Sequence, residues 1–147
     1  MDLTLELVVV PVTDVDRAKA FYSEQCGFVV DVDQSMGDDF RVVQLTPPGS
    51  ACSISVGKGL SKAEPGSTQG LQLCVTDIAA ARTELVDRGL DVTPVRHVDD
   101  KGEWLDGPGG PWNSFMFFSD PDGNGWAIQE KPAASELPDG RGAGEAD

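Results

Sequence analysis

Apolar and polar positions follow one pattern twice along this chain. Residues 5–12 and 71–75 each read as a strand, and each runs into the same short signature. Val12-Thr13-Asp14-Val15 recurs as Val75-Thr76-Asp77-Ile78. A helix-period stretch follows in each copy, over residues 16–25 and 79–88. Each stretch ends at a glycine, Gly27 or Gly89, suited to the left-handed residue that closes a helix. Asp14 and Asp77 stand where a carboxylate can accept the first free helical N–H groups and meet the positive end of the helix dipole. Strand-like runs come next: residues 28–32, 40–46 and 52–56 in the first copy, and 90–95, 115–118 and 126–129 in the second. The pattern predicts a βαβββ unit, used twice.

Strand alternation then sorts the side chains. One face carries Val8, Val10, Val12, Leu71, Leu73, Val75, Trp126 and Ile128, apolar throughout, as a surface packed on helices should be. The other carries Leu7, Val9, Gly70, Gln72, Cys74, Ala127 and Gln129. Two copies of a half-closed sheet are expected to share one core, giving a single domain over residues 1–131. Its modules span about 3–57 and 69–131, with a Gly/Ser/Pro/Lys-rich connector at 58–68. Residues 132–147 read as a flexible acidic tail. Residues 102–112, with Gly107-Pro108-Gly109-Gly110-Pro111, read as a long loop of the kind that often carries function.

Val12-Thr13-Asp14-Val15-Asp16-Arg17-Ala18-Lys19-Ala20-Phe21-Tyr22 with Gly27-Phe28, and the closing run Phe117-Phe118-Ser119-Asp120-Pro121-Asp122-Gly123-Asn124-Gly125-Trp126, resemble the vicinal oxygen chelate superfamily. That superfamily includes glyoxalases, bleomycin-resistance proteins and extradiol dioxygenases. The resemblance covers nearly everything from Leu5 to Glu130. It implies an α+β fold in which two βαβββ modules form an incomplete barrel around one cavity, and a homodimer as the common assembly. It also implies, for most enzymes of the group, one divalent metal held by His, Glu or Gln from both halves. Carried onto this chain residue by residue, three of those positions fall on Leu7, Gly70 and Ala127. The fourth falls within Cys52-Ser53-Ile54-Ser55-Val56. None offers a strong ligand for a hard or borderline cation. No metal and no other cofactor is therefore expected.

Composition narrows the partners. Twenty-five acids against eleven Lys and Arg give a formal charge of −14, which repels nucleic acid and anionic lipid. No apolar run is long enough to cross a membrane, and the N-terminal residues lack the basic region of a signal peptide. Cys26, Cys52 and Cys74 are odd in number and widely spaced, which fits a reducing cytoplasm rather than a disulfide framework.

What remains is a small-molecule site. Gln72 and Gln129 lie on the cavity face with Leu7, Val9 and Ala127, and Gln44 is a further amide that can join them. Amides orient a ligand without the cost of burying a charge. Trp104 and Trp112 flank the Gly/Pro loop and would supply an apolar wall. For acid–base chemistry the candidates are His97, the chain's one histidine, and Glu130. Three readings follow: a metal-free small-molecule-binding protein; a lyase, isomerase or oxygenase with ligands relocated to Glu130, His97, Asp99 or Asp100, or working by acid–base chemistry alone; and a scaffold with a vestigial cavity.

Overall fold

A computed structural model of the chain describes residues 1–133. The expected acidic tail falls, from residue 134 on, outside the described residues. The first repeat forms β1 (Leu7–Val9), α1 (Val15–Ala20), β2 (Val29–Met36), β3 (Phe40–Thr46) and β4 (Ser53–Lys58). Its strands lie in the order β1-β4-β3-β2, with β1 parallel to β4 and the other pairs antiparallel. The second repeat forms β5 (Leu71–Val75), α2 (Ile78–Asp87), β6 (Arg96–Val98), β7 (Trp104–Asp106), β8 (Phe115–Ser119) and β9 (Gly125–Glu130), in the order β5-β9-β8-β6-β7. The result is an α+β fold of two open half-barrels.

Both helices start as the repeated signature predicts. The Asp14 carboxylate accepts the Arg17 N–H at 3.0 Å, and the Asp77 carboxylate accepts that of Ala80 at 3.0 Å. α1 runs on into one turn of π-helix, Phe21–Gln25, in which the Cys26 N–H reaches the Phe21 carbonyl at 3.2 Å. Gly27, at φ +78°, then turns the chain toward β2.

The core forms where alternation put it. Val10, Val43, Leu45, Ile54 and Val56 from the first sheet, and Met116, Phe118, Trp126 and Ile128 from the second, are buried on the helix-packed faces. Each is worth roughly 1.5–3 kcal/mol on transfer from water. α1 packs on β4. The rings of its π-turn reach the other sheet: Phe21 lies 6.2 Å from Phe118, and Tyr22 lies 5.6 Å from Trp126. The helical layer thus joins the inner faces of both sheets, and the opposite faces turn outward.

The closing turn fastens the halves. The Tyr22 hydroxyl donates to Asp120 at 2.7 Å and accepts from the Trp126 indole at 2.9 Å. Asn124 donates to the same Asp120 oxygen and to the Pro11 carbonyl, each at 2.8 Å. The Thr13 hydroxyl donates to Asp122 at 2.7 Å. Asp-Pro-Asp-Gly-Asn is therefore a joint between the repeats as well as a hairpin turn.

Three expected segments differ. β1 covers only Leu7–Val9 of the strand anticipated over 5–12; Pro11 has no N–H with which to extend the ladder. The strand anticipated over 90–95 is absent. Pro94 interrupts it, Leu90 and Val92 insert into the core instead, and pairing begins at Arg96. The anticipated loop at 102–112 is in part a strand, because Trp104–Asp106 pairs antiparallel with Arg96–Val98.

Candidate ligand-binding site

The outward face of the second sheet carries the densest set of anticipated residues. Gln72 stands opposite Ala127 and Cys74 opposite Gln129 across the β5–β9 ladder; Phe117 and Phe115 stand opposite the same two positions from β8. The Gln72 amide nitrogen donates to the Gln129 oxygen at 2.6 Å, and the Gln129 amide nitrogen donates to the Trp112 carbonyl at 2.7 Å. Both glutamines are thus held in orientation.

Beside them is an aromatic cluster. Phe115 and Phe117 stack in parallel, 6.4 Å apart with 10° between their planes. Trp104 meets both edge-on, at 5.5 Å and near-perpendicular angles of 82° and 83°. These are favourable ring geometries, worth about 0.5–1.5 kcal/mol per pair beyond burial. Trp104 remains 41% exposed, so the cluster presents an apolar surface rather than a filled core.

Alternation along β6 and β7 adds one residue that the sequence reading did not single out. Arg96 pairs with Phe115 and with Asp106, which puts it on the face of Trp104. The only cue in the sequence is one cation in an alternating run, visible once the strand is known to begin at Arg96.

Gln44 stands elsewhere. It pairs with Ser55 and Val32 in the first sheet, and its amide donates to the Ser53 hydroxyl at 3.3 Å. The fold does not bring it to the Gln72–Gln129 pair. Leu7 and Val9 lie on that same outward face of the first sheet, opposite Ser53 and Ser55. Thr46 bridges Ser53 and Asp31 there, and the buried Ser55 hydroxyl has no hydrogen-bond partner.

The two acid–base candidates are engaged away from the aromatic face. His97 alternates with Arg96 and Val98, so its ring points to the other side of the hairpin, with Nδ1 2.9 Å from the Gly107 carbonyl. It is a strand residue rather than the loop residue anticipated. Glu130 accepts the Ile78 N–H at 3.0 Å and so caps α2. Trp112 lies in the loop before β8, at φ +61°.

The donor set does not fit the divalent metal implied by the sequence resemblance. Among the described residues no group of three His, Cys, Asp or Glu side chains is placed to hold a metal ion. Cys26 and Cys74 are poor ligands as well: burial pushes both thiols above their ordinary value, that of Cys26 to about 12. A groove of about 600 Å³ lies off the aromatic face, between α2 and the Pro47-Pro48-Gly49 turn, and holds none of the anticipated site residues.

Two open βαβββ-type sheets around a shared helical layer define a class, and comparison with known proteins agrees. The chain belongs to the Glyoxalase/Bleomycin resistance protein/Dioxygenase superfamily, whose family model matches residues 4–128. Among solved structures it is similar to TnmS3, an antibiotic binding protein from Streptomyces sp. CB03234. Identity is 34%, covering 90% of this chain and 98% of that one, with a TM-score of 0.69. It is also similar to a glyoxalase/bleomycin resistance protein from the same organism, at 35% identity over 86% and 99% of the two chains and a TM-score of 0.66. A superfamily member from Sphaerobacter thermophilus DSM 20745 matches at 26% identity over 88% and 98%, with a TM-score of 0.68. A search of curated proteins gave no match. No helix among the described residues is long and apolar enough to cross a membrane.

Proposed function

We propose that this protein binds a small, planar, partly aromatic compound on the outward face of the second sheet and does so without a divalent metal. The observation that carries the reading is the Trp104–Phe115–Phe117 cluster, with Trp104 exposed and both phenylalanines half-buried, set beside the oriented Gln72–Gln129 amides. Such a surface offers stacking and directional hydrogen bonds, the two things an uncharged aromatic ligand can use. The likeness to TnmS3, named as an antibiotic binding protein, supports a small-molecule-binding role.

The reading includes a homodimer. Each chain exposes Trp104 on one half-barrel face and Val32 and Met36 on the other. Closing one against the other from a second copy would convert two open faces into an enclosed cavity. The three unpaired thiols suit a reducing cytoplasm.

Calorimetric titration with a panel of planar aromatic compounds tests the proposal, with Trp104→Ala as the control. A ligand should bind with affinity that falls about tenfold in the variant, the equivalent of about 1.4 kcal/mol. Binding indifferent to Trp104, or stoichiometric metal retained by the purified protein in native mass and elemental analysis, would overturn it.

A further inference from the structure

The aromatic face carries a cation whose hydrogen bonding is incomplete. Arg96 stands opposite Phe115 and beside the Trp104 hairpin strand. A guanidinium has five N–H donors in a rigid fork. Here one Nη donates to the Trp104 carbonyl at 3.3 Å, and the Nε is shielded from solvent with no hydrogen-bond partner. The nearest acid, Asp106, stays 3.6 Å from that Nε and is 98% exposed at its side chain. That is an ion pair beyond hydrogen-bond reach and weakened by water. The Arg96 side chain itself is 41% exposed, so its Nη groups stay open to a further acceptor. Beside it the Gln72 amide nitrogen donates to Gln129 and the Gln129 amide nitrogen to the Trp112 carbonyl, so the cationic donors open at this face are those of Arg96.

We infer that Arg96 is a specificity residue, and that the ligand is a planar aromatic compound bearing an anionic oxygen group, such as an aromatic carboxylate. This rests on the reading that the Trp104–Phe115–Phe117 face is the ligand site. The rings take the aromatic plane, and the guanidinium takes the charged edge by a bidentate, charge-assisted contact. The protein's overall charge of −14 sharpens the selection. An anion is repelled by the surface at large and held only where a local cation is unspent.

A matched pair of probes separates the two ideas. 2-Naphthoate and 2-naphthamide share ring and shape and differ in charge. Titrated calorimetrically into the full chain at low salt, naphthoate should bind at least tenfold tighter than naphthamide. In Arg96→Gln that preference should vanish, with naphthoate losing most of the affinity; naphthamide binding that persists reports that the face is intact. In Asp106→Asn, which frees Arg96 of its competitor, naphthoate should tighten several-fold. Equal binding of the two probes to the wild-type chain, a preference that survives Arg96→Gln, or weaker naphthoate binding in Asp106→Asn would overturn the inference while leaving the aromatic site in place. Failure of both probes to bind the wild-type chain up to their solubility limits would overturn the aromatic site itself and the inference with it.

Discussion

Replacing Tyr22 by phenylalanine removes one oxygen from the middle of the molecule. That hydroxyl is completely buried. It donates to the Asp120 carboxylate at 2.7 Å and accepts the Trp126 indole N–H at 2.9 Å. Burial, and next the Asp120 charge, push its pKa far above the ordinary tyrosine value, so it donates at every usable pH. Losing a hydrogen bond to a charged group costs roughly 1.5–3 kcal/mol, and stranding a buried donor adds a penalty of similar order. Asp120 keeps Asn124 and the N–H groups of Asp122 and Asn124 as donors, which limits the damage on that side. The expected loss is about 3 kcal/mol, or about 10 °C in Tm at this chain length. Urea unfolding followed by far-UV circular dichroism measures it without relying on tryptophan emission, and the slope should be unchanged. Trp126→Phe supplies the second edge of a double-mutant cycle. With the indole N–H gone, the double variant should lose about 1 kcal/mol less than the sum of the single losses. A Tyr22→Phe loss below about 1 kcal/mol, or strict additivity, would refute the claim that this hydroxyl joins the two repeats.

Other consequences are independent of that joint. Burial, and next the Asp120 charge, raise the Cys26 thiol to about 12, so Ellman's reagent at pH 8 should label it at least ~10-fold more slowly than the exposed Cys74 until the protein is unfolded. Hydrogen bonds from Arg41, then Lys19, hold the Asp33 carboxyl well below the usual range. Its contribution is therefore full above the unfolded pKa of about 3.9 and is lost as pH falls toward the folded one. Asp33→Asn should flatten the acid limb of a stability–pH curve by less than about 1 kcal/mol, because the pair is partly exposed. Gly66 sits at φ +80°, and a Cβ there would come within 2.1 Å of the Asp122 carbonyl; Gly66→Ala should cost about 2 kcal/mol or more in the same unfolding assay. Glu130→Ala should cost about 1 kcal/mol by uncapping α2, with ligand affinity unchanged in the calorimetric titration.

The sequence was most legible where two signals agreed. The Val-Thr-Asp signature marks both helix starts, and each aspartate caps as its position demands. Alternation placed Trp126 and Ile128 on the helix-packed face and Ala127 and Gln129 on the opposite one, and the β5–β9 register follows it. Legibility failed where composition and structure diverge. The β6–β7 hairpin is only three residues on each side. Gly and Pro after β7, and acids in its turn, make the segment read as loop. Missing the hairpin displaced His97, which alternation then turns away from the aromatic rings, and hid Arg96, which it turns toward them. Gln44 is placed only by its partners: β3 pairs it with Ser55 of β4, and which strand lies beside β3 is not written in its own period-two pattern.

The positions at which the resemblance places metal ligands bear on what kind of site replaced them. Ala127 stands between Gln72 on one side and Phe117 on the other. Gly70, at φ +83°, has nothing within 4 Å of where a Cβ would be. A His or Glu at Ala127 would rise from the sheet between the phenyl ring and the amide pair and break up the surface on which a flat molecule could lie. Alanine leaves that strip low and apolar. On the proposed reading, loss of the ligating side chain and gain of a stacking floor are one change: the polar demand of the ligand moves from a central cation to the edges of the face, where Gln72, Gln129 and Arg96 stand. Ala127→Glu tests this while Gln72, Gln129 and Arg96 themselves stay in the chain. The substitution should abolish 2-naphthoate binding by occupying the floor and by repelling the carboxylate, and should weaken 2-naphthamide by the steric part alone. Binding of both probes left intact would mean that the ring does not lie over β9.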